Sequence, residues 1–237
     1  MDADYIAVDL ETTGLNPKKD RILEIGAAKV KDEQIIDKYA VFVDSRIKIP
    51  EFITELTGID NSMTDGGISQ DEAVRELLAF CGDLPILGHN ILFDYSFIKR
   101  NAVNQGLTFP NYGIDTLKIA RKFLEGLSSR SLESLCSYYG IEQKKKHRAY
   151  EDAISSSKLY HCMKKEFIQV SPAAFEPKEL IYQVKKENPI TISQKGYLND
   201  LLKYHRIDTD VAISSLTKNE ASRMIDGIIL NHGRIKR

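Results

Sequence analysis

Cysteines are few in this 237-residue sequence, and they are widely spaced. Cys81, Cys136 and Cys162 form no C-x-x-C pair, which excludes the common cysteine zinc sites and favours free thiols in a reducing compartment. No apolar run approaches the roughly 20 residues that cross a bilayer. The N-terminal segment 1–4 is acidic, and no apolar signal stretch follows it. These absences predict a cytoplasmic protein without a membrane segment.

An excess of positive charge is also absent. The net charge is -1, from 33 lysines and arginines against 34 aspartates and glutamates, so the chain as a whole lacks the basic character of many nucleic-acid binders. A nucleic-acid enzyme of this composition would need a local basic surface or bound cations to meet phosphate. The phosphate loop G-x-x-x-x-G-K-[ST] is missing too, which argues against a nucleotide-driven motor.

The pattern of apolar residues predicts an α/β fold. Residues 5–9 have the pattern of a buried strand that ends in an acid, and 22–30 with 34–43 have that of an antiparallel hairpin. Strands and helices then alternate, which implies a mixed sheet flanked by helices. The later predicted strands are 85–88 and 112–115, and the predicted helices are 69–81, 93–104, 116–124, 131–139 and 149–167.

The segment that follows the last of these helices contains two prolines and has the composition of a linker. We therefore predict a main domain over residues 1–168, a linker over 169–188, and a small C-terminal helical module over 189–237. The second helix of the module is predicted to begin at Thr217. There Thr217 and Glu220 have the spacing of a capping box, in which each side chain bonds the other residue's amide.

Four carboxylates stand at the ends of predicted elements. Asp9 and Glu11 lie two residues apart at the end of a strand, so their side chains leave the same face. Asp94 opens one helix, and Asp152 lies early in another. Taken singly, such residues are ordinary surface acids, helix caps or charges near a helix N-terminus. If they converged on one pocket they would repel one another, unless hard divalent cations such as Mg²⁺ or Mn²⁺ neutralised them.

Considered together, the segments that carry these acids resemble the motifs of the DnaQ-like 3′→5′ exonucleases of the DEDD superfamily. The similar segments are DLETTG (9–14), GHN (88–90) with FD (93–94) and Phe97, and HRAYEDA (147–153), the last in its histidine variant. The segment 21–27, RILEIGA, fits the second strand that follows the first motif. The resemblance covers about residues 4–167. It implies an RNase H-like mixed β-sheet flanked by helices.

The resemblance also implies a role for each motif residue. Asp9, Glu11, Asp94 and Asp152 would bind two divalent cations, Mg²⁺ or Mn²⁺, with Asp9 as the bridge between them. His147 would be the general base that deprotonates the attacking water, and its reference pKa of about 6.5 suits that task. His147 and Asp152 are five positions apart in the chain, which places them on different helical faces. We therefore expect His147 on a loop just before the helix.

Substrate contacts follow from the same resemblance. Thr12, Thr13 and Leu15 follow the first motif and would meet the 3′-terminal nucleotide. Thr57, in the turn Leu56-Thr57-Gly58-Ile59, would pack against the terminal sugar and base. Phe93 could stack on a base at the end of the strand, because aromatic stacking tolerates any sequence. Core packing is the alternative for Phe93.

The expected activity is metal-dependent hydrolysis of single-stranded DNA from its 3′ end, which releases nucleoside 5′-monophosphates in proofreading or repair. The motifs also resemble those of the epsilon type of DNA polymerase III exonuclease, so a DNA polymerase subunit is an expected partner. A 3′→5′ exoribonuclease that trims RNA is the alternative, since contacts to the 2′-hydroxyl decide between the two sugars and the motifs do not report them.

A catalytically silent nucleic-acid or polymerase-binding module is a further alternative. The presence of all four acids and the histidine disfavours it. The C-terminal module and its tail, residues 233–237, could touch DNA or a partner, or could form a solubilising helical hairpin.

Overall fold

A computed structural model describes residues 4–109, 112–143, 146–209 and 211–235. The chain divides into two compact units, unit 1 over Met1–Val184 and unit 2 over Lys185–Arg237. The interpretations given above for residues 1–3 and 236–237 lie outside the described ranges. Among the helices of those ranges, none has both the length and the apolar character that a membrane span requires.

A mixed sheet forms the centre of unit 1. Its strands are β1 (Tyr5–Thr12), β2 (Ile22–Lys31), β3 (Gln34–Asp44), β4 (Ile68–Ser69), β5 (Ile86–Gly88), β6 (Tyr112–Asp115) and β7 (Lys178–Glu179). Among the described residues they form a seven-stranded sheet in the order β4-β3-β2-β1-β5-β6-β7. β1, β2 and β3 pair antiparallel, whereas β5 is parallel to β1 and β6 is parallel to β5. The predicted mixed sheet with an early hairpin is confirmed.

Helices flank the sheet and enclose an apolar core on each of its faces. Those of unit 1 are α1 (Glu51–Thr57), α2 (Asn61–Thr64), α3 (Gln70–Cys81), α4 (Leu92–Gln105), α5 (Thr116–Phe123), α6 (Leu132–Tyr139) and α7 (Ala149–Phe167). In β1, Ile6 and Val8 belong to the core with α3 and α4, while Tyr5 and Ala7 belong to the core with α5, α6 and α7. This alternation follows from the two-residue period of a strand.

The segment between β3 and α3 holds three short elements that the apolar pattern does not predict: α1, α2 and β4. α2 has four residues and β4 has two, which is too short for a repeating apolar period to appear. Local polar chemistry forms α2 instead, because the Asp60 side chain accepts a hydrogen bond from the Met63 amide at the helix start.

The predicted linker over residues 169–188 differs from the structure in its first part. Phe175 is buried in the core on the α7 side, and its carbonyl accepts a 3.0 Å hydrogen bond from the Tyr160 hydroxyl. β7 then pairs antiparallel with β6, and Leu180 is buried next to Gly113. Single apolar residues in a polar segment give no periodic signal, so their packing on unit 1 could not be inferred from the sequence.

Unit 2 contains α8 (Ile192–His205) and α9 (Lys218–His232). Capping boxes begin both helices, one from Thr191 with Gln194 and the other from Thr217 with Glu220, as the sequence predicted for Thr217. The two helices share an apolar core whose buried members are Leu198, Leu201, Leu202, Leu216, Ala221, Ile225 and Ile228.

Because unit 1 extends to residue 184, two truncations of the chain should differ in stability. We expect a chain that ends after residue 184 to keep unit 1 folded, whereas one that ends after 170 should lose several kcal/mol of unfolding free energy. The shorter product lacks β7 and the buried Phe175 and Leu180, and loss of one such side chain costs about 2–5 kcal/mol. Urea denaturation followed by circular dichroism measures both. Equal stabilities would show that residues 171–184 do not belong to the fold of unit 1.

Candidate active site

Asp9 and Glu11 lie in the last four residues of β1, near the centre of the sheet. Val8 and Leu10 belong to the core with α3 and α4. Because strand side chains alternate, Asp9 and Glu11 leave from the opposite face, toward the start of α7. Over its last residues, β1 therefore contributes to the apolar core on one face and carries two acids on the other.

Asp94 reaches the same region from the first turn of α4. Its carboxylate is buried, and Oδ1 accepts a 3.0 Å hydrogen bond from the backbone amide of Leu10. That amide lies between Asp9 and Glu11 in the chain. The bond therefore fixes the start of α4 against the acidic end of β1.

Asp152 and His147 come from the start of α7 and from the residues just before it. Asp152 is buried, and its Oδ2 accepts a 2.9 Å hydrogen bond from the His147 amide. His147 has a φ of 56°, in the left-handed region that few residues other than glycine adopt. The turn leaves the imidazole exposed, on a loop before the helix.

Glu11, His147 and Asp152 form a cluster that could hold a metal ion. Each offers one ligand atom, and these atoms lie within 4.8 Å of one another. Two carboxylates and an imidazole fit a hard or borderline divalent cation. The residues present therefore fit the divalent cation that the motifs imply.

Electrostatics support the same interpretation. Burial raises the pKa of Asp9 well above its usual value, and the charges of Asp94, Glu11 and Asp152 raise it further. Burial and the charges of Asp152 and Glu24 raise the pKa of Glu11 to about 8, although the Arg148 charge opposes this. The pKa values of Asp94 and Asp152 are also raised, chiefly by burial. Four acids that repel one another in this way form a site whose charge a cation can neutralise.

These shifts predict how stability depends on pH. Without divalent cations, the free energy of unfolding should fall as the pH rises from about 4.5, the ordinary pKa of Glu11, to about 8, its pKa in the fold. In this window the folded protein binds more protons than the unfolded chain, so raising the pH favours unfolding. Thermal unfolding in EDTA at several pH values measures the slope. Glu11→Gln should flatten it, and a melting temperature that rises across the window would contradict the prediction.

Two of the three predicted substrate-contacting residues after the first motif form hydrogen bonds within the fold. Thr12 and Thr13 are buried, and the Thr12 hydroxyl donates to the Gly14 carbonyl at 2.7 Å. The Thr13 hydroxyl accepts a 2.9 Å bond from the Arg21 amide. Leu15 differs, because it is 84% exposed. Among these three, only Leu15 exposes its side chain to solvent.

The other two residues predicted to contact the substrate also make contacts within the fold. Thr57 is buried, and its hydroxyl donates to the Ile53 carbonyl and accepts from the Ile59 amide. Phe93 is half-buried, with its ring 5.1 Å from that of Phe97, which is fully buried in the core. Phe93 thus combines packing with an accessible edge. Substrate contact by these residues stays a prediction.

Sequence reasoning missed Glu24 and Arg148 as members of this site. Glu24 is buried on β2 directly opposite Glu11, and Arg148 pairs with it through two nitrogens. The signal was available, because Glu24 is the one charged residue in the otherwise apolar run 22–28 of β2. A buried charge of that kind requires a partner.

Comparisons with known proteins agree with this arrangement. The RNase_T family model, described as exonuclease, matches residues 6–160, which is more than half of the chain. The DNA polymerase III subunit epsilon of Aquifex aeolicus is 34% identical over 161 residues, covering 68% of this chain and 80% of that protein. The PolC-type DNA polymerase III of Clostridium perfringens is 38% identical over 159 residues, which is 67% of this chain but only 11% of that protein.

Solved structures show the same fold at lower identity. The crystal structure of E. coli Exonuclease I in complex with a dT13 oligonucleotide superposes with a TM-score of 0.64 at 18% identity. The match covers 71% of this chain and 42% of that one. The RNase H-like arrangement expected from the motifs is therefore confirmed as the fold of unit 1.

Proposed function

The chain belongs to the exonuclease family, and from that premise we propose that it is a divalent-cation-dependent 3′→5′ exonuclease that acts on single-stranded DNA and releases nucleoside 5′-monophosphates. The observation that carries the proposal is the cluster of Glu11, His147 and Asp152, whose ligand atoms lie within 4.8 Å of one another. Asp9 and Asp94 complete the set, since the charge of Glu11 raises the pKa of both carboxyl groups. All five residues of the three motifs thus contribute to one site.

Each residue has a task that its position suits. Asp9, Glu11, Asp94 and Asp152, from the end of β1 and the starts of α4 and α7, would hold two cations, Mg²⁺ or Mn²⁺. Such ions, when bound, stabilise negative charge on the attacking and leaving oxygens of a phosphodiester. The exposed His147 accepts the proton of the attacking water, and its backbone bond to Asp152 keeps it beside the acids. Leu15 and Phe93 meet the terminal nucleotide.

DNA is the proposed substrate because the relatives are subunits or regions of DNA polymerase III, and because Exonuclease I was crystallised with an oligodeoxynucleotide. A DNA polymerase is the proposed partner for the same reason. The mildly basic C-terminal part, residues 171–237, could contribute to either contact. RNA trimming is retained as an outcome of the test below.

Labelled oligonucleotides test the proposal. The full-length protein is incubated with 5′-labelled single-stranded DNA, or with RNA of the same sequence, in Mg²⁺, in Mn²⁺ and in EDTA. We expect a ladder of products that shortens from the 3′ end of DNA, and no products in EDTA. Equal activity in EDTA would refute the cation-dependent mechanism. Preferential shortening of RNA would assign the enzyme to the exoribonucleases.

His147→Gln tests the proposed base. A glutamine retains a polar side chain but cannot accept the proton, so we expect kcat to fall by about 10²–10⁴-fold with little change in KM. Single-turnover rates on a short DNA oligonucleotide measure the effect. His232→Gln, an exposed histidine of unit 2, is the matched control and should leave the rate unchanged. A rate for His147→Gln within threefold of the control would remove His147 from the mechanism.

A further inference from the structure

Glu24 is a buried acid beside the four proposed cation ligands. Its side chain is 4% exposed on β2, where Glu24 pairs with Glu11 on one side and with Phe42 on the other. Cross-strand partners share a face of the sheet, so Glu24 lies on the face of the candidate site. Its charge raises the pKa values of Asp9 and Glu11. A fifth acid here increases the electrostatic repulsion within the site unless a positive charge neutralises it.

The guanidinium of Arg148 neutralises the Glu24 carboxylate. Its Nε lies 3.1 Å from Glu24 Oε2, and its Nη2 lies 2.9 Å from Oε1, which is a two-bond guanidinium–carboxylate pair. The guanidinium also lies 4.9 Å from the centre of the Phe42 ring. The pair is thus held from two strands at once, with geometry that a lysine ammonium would not reproduce.

The same carboxylate also binds the beginning of α7. Glu24 Oε2 accepts a 3.3 Å hydrogen bond from the Ala149 amide, the first of the helix. Arg148 is the cap residue of α7 and directly follows His147, and Asp152 lies within the first turn. One carboxylate therefore joins β2 to Arg148 and Ala149, two of the four residues that lie between the proposed base and the proposed cation ligand Asp152.

We infer that Glu24 and Arg148 are positioning residues, which hold the turn at His147 and the first turn of α7 at the distance from β1 that the site requires. The catalytic importance of the pair rests on the proposed function, whereas its contacts are observed whichever function is correct. The pair acts through Asp152 and His147 without touching substrate. Because Arg148 neutralises Glu24, it positions the turn without adding net charge to the site.

Arg148→Gln in the full-length protein tests this inference, with Arg46→Gln as the matched control because Arg46 forms an exposed ion pair with Asp44. We expect faster hydrogen exchange of the amides of residues 147–152 in the protein without cations, and unchanged exchange in α3 and α4. We also expect Mn²⁺ affinity and kcat to fall by about 10–100-fold, with KM within about threefold of the wild type. Arg148→Lys should recover part of the loss, since it keeps the charge but loses the paired bonds.

Three outcomes would overturn the inference. Exchange and Mn²⁺ affinity equal to the wild type would show that the pair positions nothing. Faster exchange throughout unit 1, with a lower melting temperature, would show that the pair only stabilises the fold. Full recovery in the double variant Glu24→Gln/Arg148→Gln would show that the charge of Glu24 matters and its bonds do not. A wild type that fails to cleave DNA would refute the proposed function, while the exchange and Mn²⁺ measurements would still test the pair.

Discussion

Asp9→Asn is expected to reduce DNA hydrolysis by about a thousandfold or more, because several kcal/mol of charge stabilisation are lost and each 1.4 kcal/mol is a factor of ten. The same substitution should stabilise the cation-free protein. Asparagine has the same shape, yet it removes a buried charge that is repelled by Asp94, Glu11 and Asp152. We expect a higher unfolding free energy at pH 8, because burial and the neighbouring acids raise the pKa of Asp9 in the fold.

Two measurements on one variant make this prediction specific. Single-turnover hydrolysis with Mg²⁺ gives the activity, and urea denaturation in EDTA gives the stability. Asp83→Asn is the matched control, because Asp83 is exposed in the turn after α3 and should change neither quantity. Hydrolysis within tenfold of the wild type would exclude Asp9 from the mechanism. Lower stability in EDTA would show that the acids do not repel one another in the fold.

Gly26→Ala is expected to lower both stability and activity, although position 26 carries no chemical group. Gly26 pairs with Asp9 across the sheet, and a Cβ added to it would lie 2.0 Å from the Tyr150 nitrogen and 2.2 Å from the Ala149 carbonyl carbon. Both neighbours are backbone, so α7 must move away from β2. We expect a loss of about 3 kcal/mol or more in unfolding free energy, at the upper end of overpacking effects.

The displacement should also move His147 and Asp152, so hydrolysis should fall even at temperatures where the variant is folded. Denaturation and single-turnover assays below the melting temperature separate the two effects. Gly126→Ala is the control, since nothing lies within 4 Å of the methyl group it would add. If Gly26→Ala matches this control in both assays, the close approach of α7 to β2 has no functional importance.

The long periodic segments were predictable from the sequence, as were the short strands β5 and β6, but α1, α2, β4 and β7 were not. The bounds predicted for α7, 149–167, are those observed, because a helix of that length shows its apolar period several times. β7 and the buried Phe175 show no such period. Their packing depends on long-range contacts with β6 and Tyr160, which a local pattern cannot report.

In the candidate site, too, some residues were predictable from the sequence and others were not. The motifs predicted which acids and which histidine to examine, because their order and spacing are characteristic even though each residue alone is ordinary. The partners of those residues were not predicted. Pairing of Glu24 with Arg148 requires β2 and the start of α7, which are far apart in the sequence, to meet. The positive φ of His147 likewise has no signature in its neighbours.

The alternation along β1 restricts how this strand can change during evolution. Successive side chains serve the apolar core and the acidic site in turn, so a deletion of one residue would exchange the two sets. Val8 and Leu10 would then enter the site, and Asp9 and Glu11 would be forced into the core. Substitutions that preserve apolar character at alternate positions are tolerable, but the loss or gain of a single residue is not. The strand can therefore vary in composition only while each position stays on its own face of the sheet.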